Sequence, residues 1–283
     1  MANFKLSAFA DEVSAVFDEQ LNYLKSRNVS YIEPRNIDGT GVALLSLEEA
    51  KAAKRKMDAC GIGVSSVGSP IGKITLDDDF AAHMQLFSHV LDIAEIFETK
   101  NIRMFSFFCP KGENVEHYRE AVFSRLELLC ELAEKRGVTL CHENEMGIYG
   151  ETPEACQALM EHFGTRMKSV LDMGNFAFCK QDAYHGYTLL EPYIEYIHIK
   201  DAFYDTRIVP AGQGDGQVQR ILAAFDRFTD RDVFLTLEPH LTVFDGLKNL
   251  SNLDDITVEN AYETPEAAFD AALAALQGII DTL

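Results

Sequence analysis

The sequence lacks tryptophan, any CxxC cysteine pair and any long apolar run. Without tryptophan, an aromatic platform for a sugar ring must be built from phenylalanine or tyrosine. The six cysteines are scattered at positions 60, 109, 130, 141, 156 and 179, which is typical of reduced thiols in a cytosolic protein. No apolar run approaches the roughly 18 residues of a membrane helix, and the N-terminal segment lacks the apolar core of a signal peptide. We therefore expect a cytoplasmic protein with no membrane partner.

Basic residues are also scarce, with 25 lysines and arginines against 45 acidic residues. The resulting net charge of −20 argues against nucleic acid or an anionic membrane as a partner. It does not exclude an anionic substrate, because a local site can oppose the overall field. A chain of 283 residues is long enough for one α/β barrel domain.

Short apolar runs alternate with helical patterns along the whole chain. The predicted strands are residues 4–9, 30–34, 61–67, 102–108, 138–141, 169–172, 194–200 and 233–238. The predicted helices are 11 or 14 to 27, 47–59, 79–99, 114–136, one that starts at Thr152-Pro153, 182–191, 215–228 and 264–280. Eight strand–helix units predict a (β/α)8 TIM barrel that forms a single domain over residues 1–283. The alternative, an open doubly wound sheet, would need a glycine-rich turn after the first strand, and that turn reads AFADEVS.

Four of the predicted strands end in residues that bind metals. Glu143, Asp172, His198 and Glu238 lie at the ends of strands five to eight. Active sites of such barrels lie at the carboxyl ends of the strands, so these side chains should meet. Three carboxylates around one imidazole would repel one another unless a cation neutralised them. The donor set predicts one divalent ion, Mn²⁺ or Mg²⁺ first, with Zn²⁺, Co²⁺ or Fe²⁺ as alternatives.

Several motifs at these strand ends resemble those of the xylose-isomerase-like barrels, the sugar (phosphate) isomerases and epimerases. The matching motifs are HEN at 142–144, LDMGN at 171–175, HIKD at 198–201, VPAGQGDG at 209–216 and LEPH at 237–240. The resemblance implies that Glu143, Asp172, His198 and Glu238 are the metal ligands. It also implies that Glu143 and Glu238 are the acid–base pair that moves a proton on a carbon next to a carbonyl.

The same resemblance suggests residues that bind the substrate. Asn175 stands where several ketose epimerases have a histidine, and its DxGN context is closer to the enzymes that act on phosphorylated pentuloses. Arg207 is a candidate for an arginine that many family members place soon after the histidine of strand seven. Further candidates at strand ends are Glu33, His142, Lys200 and His240, and a structural role is the alternative for His142 and Lys200.

Two segments permit more than one interpretation. The three glycines in residues 210–216 could direct backbone N–H groups at a phosphate or sugar oxygen, or could form a tight turn before a helix. Residues 241–261 have no clear pattern and are longer than a normal connection, so they are either a lid over the site or a surface loop.

The sequence leaves several functions open. The first is metal-dependent isomerisation or epimerisation of a small sugar or sugar phosphate. The second is a dehydratase or lyase that acts on a keto-inositol or an oxidised sugar with the same metal site. An abasic-site endonuclease is disfavoured because the early strands lack the extra histidines of a trinuclear zinc site. A sugar-binding protein without catalysis is disfavoured by the intact set of four ligands. Whether a homo-oligomer completes the site is also open.

Overall fold

Eight short strands, which alternate with helices along the chain, form the centre of the fold. The computed structural model describes residues 1–242 and 262–283. Within these residues, the strands are β1 (Asn3–Ala8), β2 (Tyr31–Ile32), β3 (Gly63–Val64), β4 (Asn101–Met104), β5 (Thr139–Glu143), β6 (Met167–Asp172), β7 (Ile194–Ile199) and β8 (Asp232–Leu237). Two short hairpins pair Asn36–Ile37 with Thr40–Gly41 and Asp201–Ala202 with Ile208–Val209.

The helices form the layer outside these strands. They are α1 (Phe17–Ser26), α2 (Leu47–Cys60), α3 (Phe80–Ile96), α4 (Arg119–Arg136), α5 (Pro153–Phe163), α6 (Met173–Phe178), α7 (Ala183–Leu190), α8 (Val218–Phe228) and α9 (Pro265–Ile280). Short 3₁₀ turns cover Ala10–Glu12, Val42–Leu44, Val115–Tyr118, Tyr149–Glu151, Gly164–Arg166 and Glu191–Tyr193. Among the described residues, no helix is long and apolar enough to cross a membrane.

The strands close into a barrel. Six of them form one parallel sheet in the order β1-β8-β7-β6-β5-β4, and β2 pairs in parallel with β3. Two contacts join these units: Glu33 N–H donates to the Ala8 carbonyl over 3.0 Å, and Val67 forms a parallel bridge with Ile102. This ring of eight strands with helices outside it is the predicted (β/α)8 TIM barrel.

The pleat of the strands directs alternate side chains into the barrel. Cys141, Val170 and Tyr196 are fully buried and pack together, with Phe234 against them. Two residues further along β5, β6 and β7 come Glu143, Asp172 and His198. In β8 the residue two positions after Phe234 is Thr236, and Glu238 comes two positions later. The interior stack of β5 to β8 therefore ends in polar side chains at the carboxyl end.

Local signals placed most helix ends correctly. Thr152 caps α5 by accepting from Ala155 N–H, with Pro153 in the first turn, as predicted. Gly137 closes α4 with a φ of +65°, a conformation that favours glycine. The helix predicted from Asp11 or Ser14 instead begins at Phe17, because the Asp11 carboxylate binds Arg35.

Three strand predictions were too long. β2 and β3 each pair over two residues, and β4 ends at Met104 because the backbone then bonds to the 71–74 segment, with Phe105 N–H on the Ile71 carbonyl. The lid prediction concerns residues 241–261, of which 243–261 lie outside the described residues.

Candidate metal centre

The four strand-end residues singled out in the sequence meet around the ring of His198. Its Nδ1 atom lies 3.2 Å from Glu143 Oε1, 3.2 Å from Glu238 Oε2 and 3.9 Å from Asp172 Oδ2. Each residue offers one ligand atom, and the four atoms lie within 4.8 Å of one another. All four side chains are buried, since none of the residues is more than 3% exposed. The structure thus assembles the predicted ligand set at one point.

The other side of the His198 ring is held by a carboxylate. His198 Nε2 lies 3.2 Å from Glu33 Oε2, and Glu33 Oε1 accepts a hydrogen bond of 2.8 Å from the Tyr196 hydroxyl. Glu33 is fully buried behind the histidine. A carboxylate in this position fixes which ring nitrogen carries a proton, and leaves Nδ1 to face the three carboxylates. Glu33, predicted as a substrate contact, is therefore placed to orient His198.

Two asparagines fix the ends of β5 and β6 relative to each other. The Asn144 side chain donates to the Asp172 carbonyl over 2.8 Å and accepts from the Asp172 N–H over 2.9 Å. Asn175 Nδ2 donates to Glu143 Oε1 over 3.1 Å, and its backbone N–H donates to Asp172 Oδ1 over 2.8 Å. Asn175, predicted to contact substrate, is 2% exposed and is placed to position both carboxylates.

Permanent cations surround the carboxylates. Arg103 Nη1 lies 3.2 Å from Glu143 Oε2, and Arg35 Nη1 lies 2.9 Å from Glu238 Oε1. Each glutamate thus has one oxygen towards His198 and the other on its own arginine. Lys200 Nζ lies 2.9 Å from Asp172 Oδ2 and 3.4 Å from Glu238 Oε2. The ammonium group of Lys200 is therefore in direct contact with two of the predicted ligands.

These charges shift the pKa values of the cluster in different directions. Burial alone would raise the pKa of Glu143, but the charges of His198 and Arg103 outweigh it and lower that pKa to about 2. For Asp172, burial dominates over the charge of Lys200, and its pKa rises to about 7. Burial opposes the charged form of His198, yet Glu143 and Glu33 raise its pKa well above its ordinary value. Lys200 and His198 hold the pKa of Glu238 well below its usual range against the effect of burial. Carboxylates of unequal basicity therefore share one site.

Glu238 also belongs to a second cluster of buried side chains, which it forms with Glu12 and His240. His240 Nε2 lies 3.3 Å from both Glu12 Oε1 and Glu238 Oε1, and the His240 N–H donates to Glu12 Oε2 over 2.8 Å. Burial, which outweighs the effect of nearby charges, raises the pKa of Glu12 to about 8 and lowers that of His240 to about 4. His240, a predicted substrate contact, thus lies beside one of the two glutamates of the proposed acid–base pair.

Two of the predicted substrate residues lie away from the cluster. His142 points to the opposite face of β5 from Glu143, where its Nε2 contacts Ser106 Oγ at 2.9 Å. Burial there lowers the pKa of His142 to about 4, and the structure does not bring its ring to the cluster. The Arg207 guanidinium is 44% exposed and pairs with Asp205 at 3.1 Å, so the structure does not bring it to the site.

The glycine-rich segment is a turn around a carboxylate of the chain itself. Backbone N–H groups of Gly212 and Gly214 donate to Asp201 Oδ2 over 2.8 and 3.0 Å, and Gly216 N–H donates to Asp201 Oδ1 over 2.9 Å. These N–H groups are already bound to Asp201, so they are not directed at a phosphate. Of the two interpretations of residues 210–216, the structure therefore favours the tight turn.

The residues present fit a divalent cation. Three carboxylate oxygens and one imidazole nitrogen converge without a cysteine, which is a donor set suited to Mn²⁺, Mg²⁺ or Zn²⁺. The imidazole that would bind has its second nitrogen on a carboxylate, as metal-binding histidines usually do. Glu143, Asp172, His198 and Glu238 are the residues that would hold the ion.

Sequence reasoning missed Arg35, Arg103 and Glu12. Arg103 is a charged residue inside the apolar run IRMF, which is an unusual composition for a buried strand. Arg35 lies three residues after the end of β2 and Glu12 four residues after the end of β1, on the same side of the barrel as the four candidate ligands. The signal was present in the sequence, but its meaning depends on carboxylates contributed by other strands.

Comparison with known proteins agrees with this architecture. The family model for the xylose isomerase-like TIM barrel matches residues 21–253. No curated protein matches the sequence. Among solved structures, the chain is similar to the IOLI protein with a binding zinc atom, at 17% identity and a TM-score of 0.75, with 98% of each chain covered. It is also similar to L-ribulose 3-epimerase, at 17% identity and a TM-score of 0.72, with 100% of this chain and 95% of that chain covered.

A third similar structure is the probable 3-DHS dehydratase AsbF from Bacillus anthracis, at 17% identity and a TM-score of 0.73, with 98% of this chain and 99% of that chain covered. At such identities these likenesses show the fold, and their reactions differ from one another. The family model, in contrast, covers most of the sequence. The chain therefore belongs to the xylose isomerase-like TIM barrel family.

Proposed function

We propose that this protein is a divalent-metal-dependent isomerase or epimerase of a small sugar or sugar phosphate. The observation that supports it best is the matched setting of two glutamates. Glu143 and Glu238 each place one carboxylate oxygen 3.2 Å from His198 Nδ1, and each has its other oxygen on a separate arginine. Two carboxylates held in this way around one point suit the removal and the return of a proton on a substrate carbon.

In this proposal the protein supplies the acid, the base and their orientation. One glutamate takes a proton from the carbon next to the substrate carbonyl, and the other returns a proton to the opposite face or to the neighbouring carbon. Asn175 and Arg103 fix Glu143 through contacts of 3.1 and 3.2 Å, while Arg35 fixes Glu238 through one of 2.9 Å. The bound ion would supply Lewis-acid stabilisation of the negative charge that develops on the substrate oxygen.

Replacement of either glutamate tests the proposal. We expect Glu143→Gln and Glu238→Gln to lower turnover of the metal-loaded protein by a factor on the order of 10² to 10⁴, because an amide cannot exchange a proton with carbon. Exchange of the substrate α-proton in D₂O, followed by NMR, should occur in the wild type, and neither variant should complete epimerisation. Glu145→Gln is the matched control, since Glu145 pairs with Lys73 at 3.0 Å outside the cluster. Near-normal turnover in either metal-loaded glutamate variant would contradict the two-glutamate mechanism.

A dehydratase that acts on a keto-inositol or an oxidised sugar is the second candidate. The observation that favours it is a proton donor beside Glu238, the ammonium group of Lys200, with Nζ at 3.4 Å. A donor next to the base could protonate a leaving hydroxyl group. NMR of the products separates the two reactions, because a dehydratase product carries a new double bond or carbonyl and an epimerase product has the same composition as its substrate.

A further inference from the structure

A cavity of about 470 Å³ opens next to the metal-ligand cluster. Its walls come from residues within 108–115, 146–151 and 178–180. These stretches follow β4, β5 and β6, so the cavity lies at the carboxyl end of the barrel, as the cluster does. The function proposed above uses no residue of this cavity.

One aromatic ring lies between the cavity and the cluster. Phe178 at the end of α6 lines the cavity, and the centre of its ring lies 6.0 Å from Lys200 Nζ. The same Nζ atom lies 2.9 Å from Asp172 Oδ2. Phe178 therefore borders the cavity and also lies close to the cluster, so the cavity and the cluster are neighbouring parts of one end of the barrel.

The chemistry of the walls favours an apolar occupant without charge. Apolar side chains from all three stretches line it: Phe108, Val115, Met146, Ile148 and Phe178. Two lysines at the cavity, Lys111 and Lys180, are balanced by Glu113 and Glu151. Glu113 accepts a hydrogen bond from the Tyr118 hydroxyl and Glu151 accepts one from Gly147 N–H, so both carboxylates are held at the cavity. A lining with equal numbers of opposite charges gives no net attraction to a phosphate group.

We propose that this cavity binds an apolar substituent, aromatic or alkyl, that the sugar substrate carries. The substrate class is then a glycoside or a similar sugar conjugate that carries a carbonyl on a ring carbon, and not a free sugar. A volume of 470 Å³ lies within the roughly 300–1,000 Å³ of pockets that enclose small organic molecules. The inference rests on the proposed function, because it takes the cluster as the place where the sugar reacts.

The absence of tryptophan allows a direct binding test. Phe108→Trp places a single tryptophan in the cavity wall, where a nitrophenyl group would quench its fluorescence. The probes are 4-nitrophenyl D-glucoside, D-galactoside and D-xyloside, added to Mg²⁺-loaded protein. The reference ligand is 4-nitroanisole, which carries the ring without the sugar. Phe228→Trp is the control, because Phe228 is 49% exposed on α8 and does not line the cavity.

We expect saturable quenching of the Phe108→Trp protein by at least one glycoside, with a Kd about tenfold or more below that of 4-nitroanisole. The Phe228→Trp protein should show only weak quenching that grows linearly with probe concentration. Equal quenching in both proteins, or 4-nitroanisole binding as tightly as every glycoside, would overturn the inference. If Phe108→Trp does not fold by circular dichroism, Phe178→Trp reports from the opposite wall with the same criteria.

This result is separable from the test of the proposed function. Proton exchange on an unsubstituted sugar without saturable glycoside quenching would retain the isomerase or epimerase and overturn the cavity assignment. Saturable quenching without proton exchange on any keto glycoside or free keto sugar would retain the cavity as a binding site and contradict the proposed reaction.

Discussion

At the scale of single residues, His198 is the centre of the site because its two nitrogens have different partners. Nε2 faces Glu33, and Nδ1 faces Glu143 and Glu238. The contact with Glu33 fixes the ring orientation, and the negative charge of Glu33 increases the basicity of the nitrogen that would bind an ion. Glu33 is therefore placed to influence a bound ion through the histidine and not through direct contact.

Glu33→Gln should weaken Mn²⁺ binding by about 10- to 100-fold, because the amide removes the charge that supports His198. Titration calorimetry with Mn²⁺ measures the change. Tyr196→Phe is the control, since it removes only the hydroxyl that donates to Glu33 Oε1 over 2.8 Å, and its effect should be smaller. If Glu33→Gln bound Mn²⁺ as tightly as the wild type, the orienting role would be wrong.

Lys200 should have the opposite effect on the ion. Its ammonium lies 2.9 Å from Asp172 Oδ2, so a divalent cation must bind next to a positive charge. Lys200→Met should raise Mn²⁺ affinity by about tenfold or more, since it removes this repulsion. Lys180→Met is the matched control, because Lys180 is exposed and lies outside the cluster. Unchanged affinity in Lys200→Met would mean that the ammonium does not compete with the ion.

At the scale of elements, the glycine-rich turn is fixed by Asp201, three residues after His198. The carboxylate of Asp201 accepts N–H groups from Gly212, Gly214 and Gly216. An ideal Cβ at Gly214 would lie 2.4 Å from Asp201 Oδ1 and 2.6 Å from the Ala202 carbonyl oxygen, so this position has no room for a side chain. The turn thus connects β7 to α8 by close packing of backbone on a carboxylate.

Gly214→Ala should therefore lower the free energy of unfolding by roughly 1–3 kcal/mol, the usual effect of overpacking. Gly278→Ala in α9 is the matched control, because a Cβ there meets nothing within 4 Å. That substitution should raise stability by about 0.5–1 kcal/mol, since alanine has the higher helix propensity. Urea unfolding of both variants measures the pair, and a stabilised Gly214→Ala protein would contradict the packing argument.

The elements show which parts of the fold can be predicted from sequence. The start of α5 at Thr152 and Pro153 and the end of α4 at Gly137 depend on neighbouring residues, so the sequence is sufficient to find them. The lengths of β2 and β3 depend on partners far along the chain. Pairing of Tyr31 with Gly63 and of Ile32 with Val64 covers only two residues of each of the predicted strands 30–34 and 61–67.

At the scale of the whole molecule, the meeting of the four candidate ligands was predictable and the compensation of their charges was not. Glu143, Asp172, His198 and Glu238 follow strands whose order around a barrel is known once the alternation is recognised. The roles of Arg35 and Arg103 appear only after folding, because each arginine pairs with a glutamate more than 35 residues away in sequence, at separations of 203 and 40 residues.

The whole fold should also lose stability in mild acid through His83, far from the cluster. Gly72 N–H donates to His83 Nε2 over 2.9 Å, which requires the neutral ring. Burial, with a smaller effect of Arg125, lowers the pKa of His83 below its ordinary 6.5. The unfolded chain therefore binds the proton first, so this stability is complete above pH 6.5 and falls as the pH drops below it.

Urea unfolding of the wild type and of His83→Gln from pH 5 to 8 isolates the effect. The stability advantage of the wild type should be largest above pH 6.5 and should shrink on acidification. The difference between the two proteins cancels the general influence of a net charge of −20. His117→Gln, at an exposed residue, is the control, and its difference from the wild type should not follow pH. An advantage that grew as the pH fell would contradict the assignment.

The wall of the barrel formed by β2 and β3 has the shortest strand pairing, and this affects where the barrel opens locally. β1 and β8 pair over six residues, whereas β2 and β3 pair over two. Amide hydrogens exchange first where a protein opens most readily, and opening favours the wall with the fewest paired residues. Glu33 and Arg35 follow β2 on that wall, while the four ligands come from β5 to β8, where the pairing is longer. Local opening of the barrel at β2 and β3 would therefore release Glu33 and Arg35, which contact His198 and Glu238, and would leave the four candidate ligands in place.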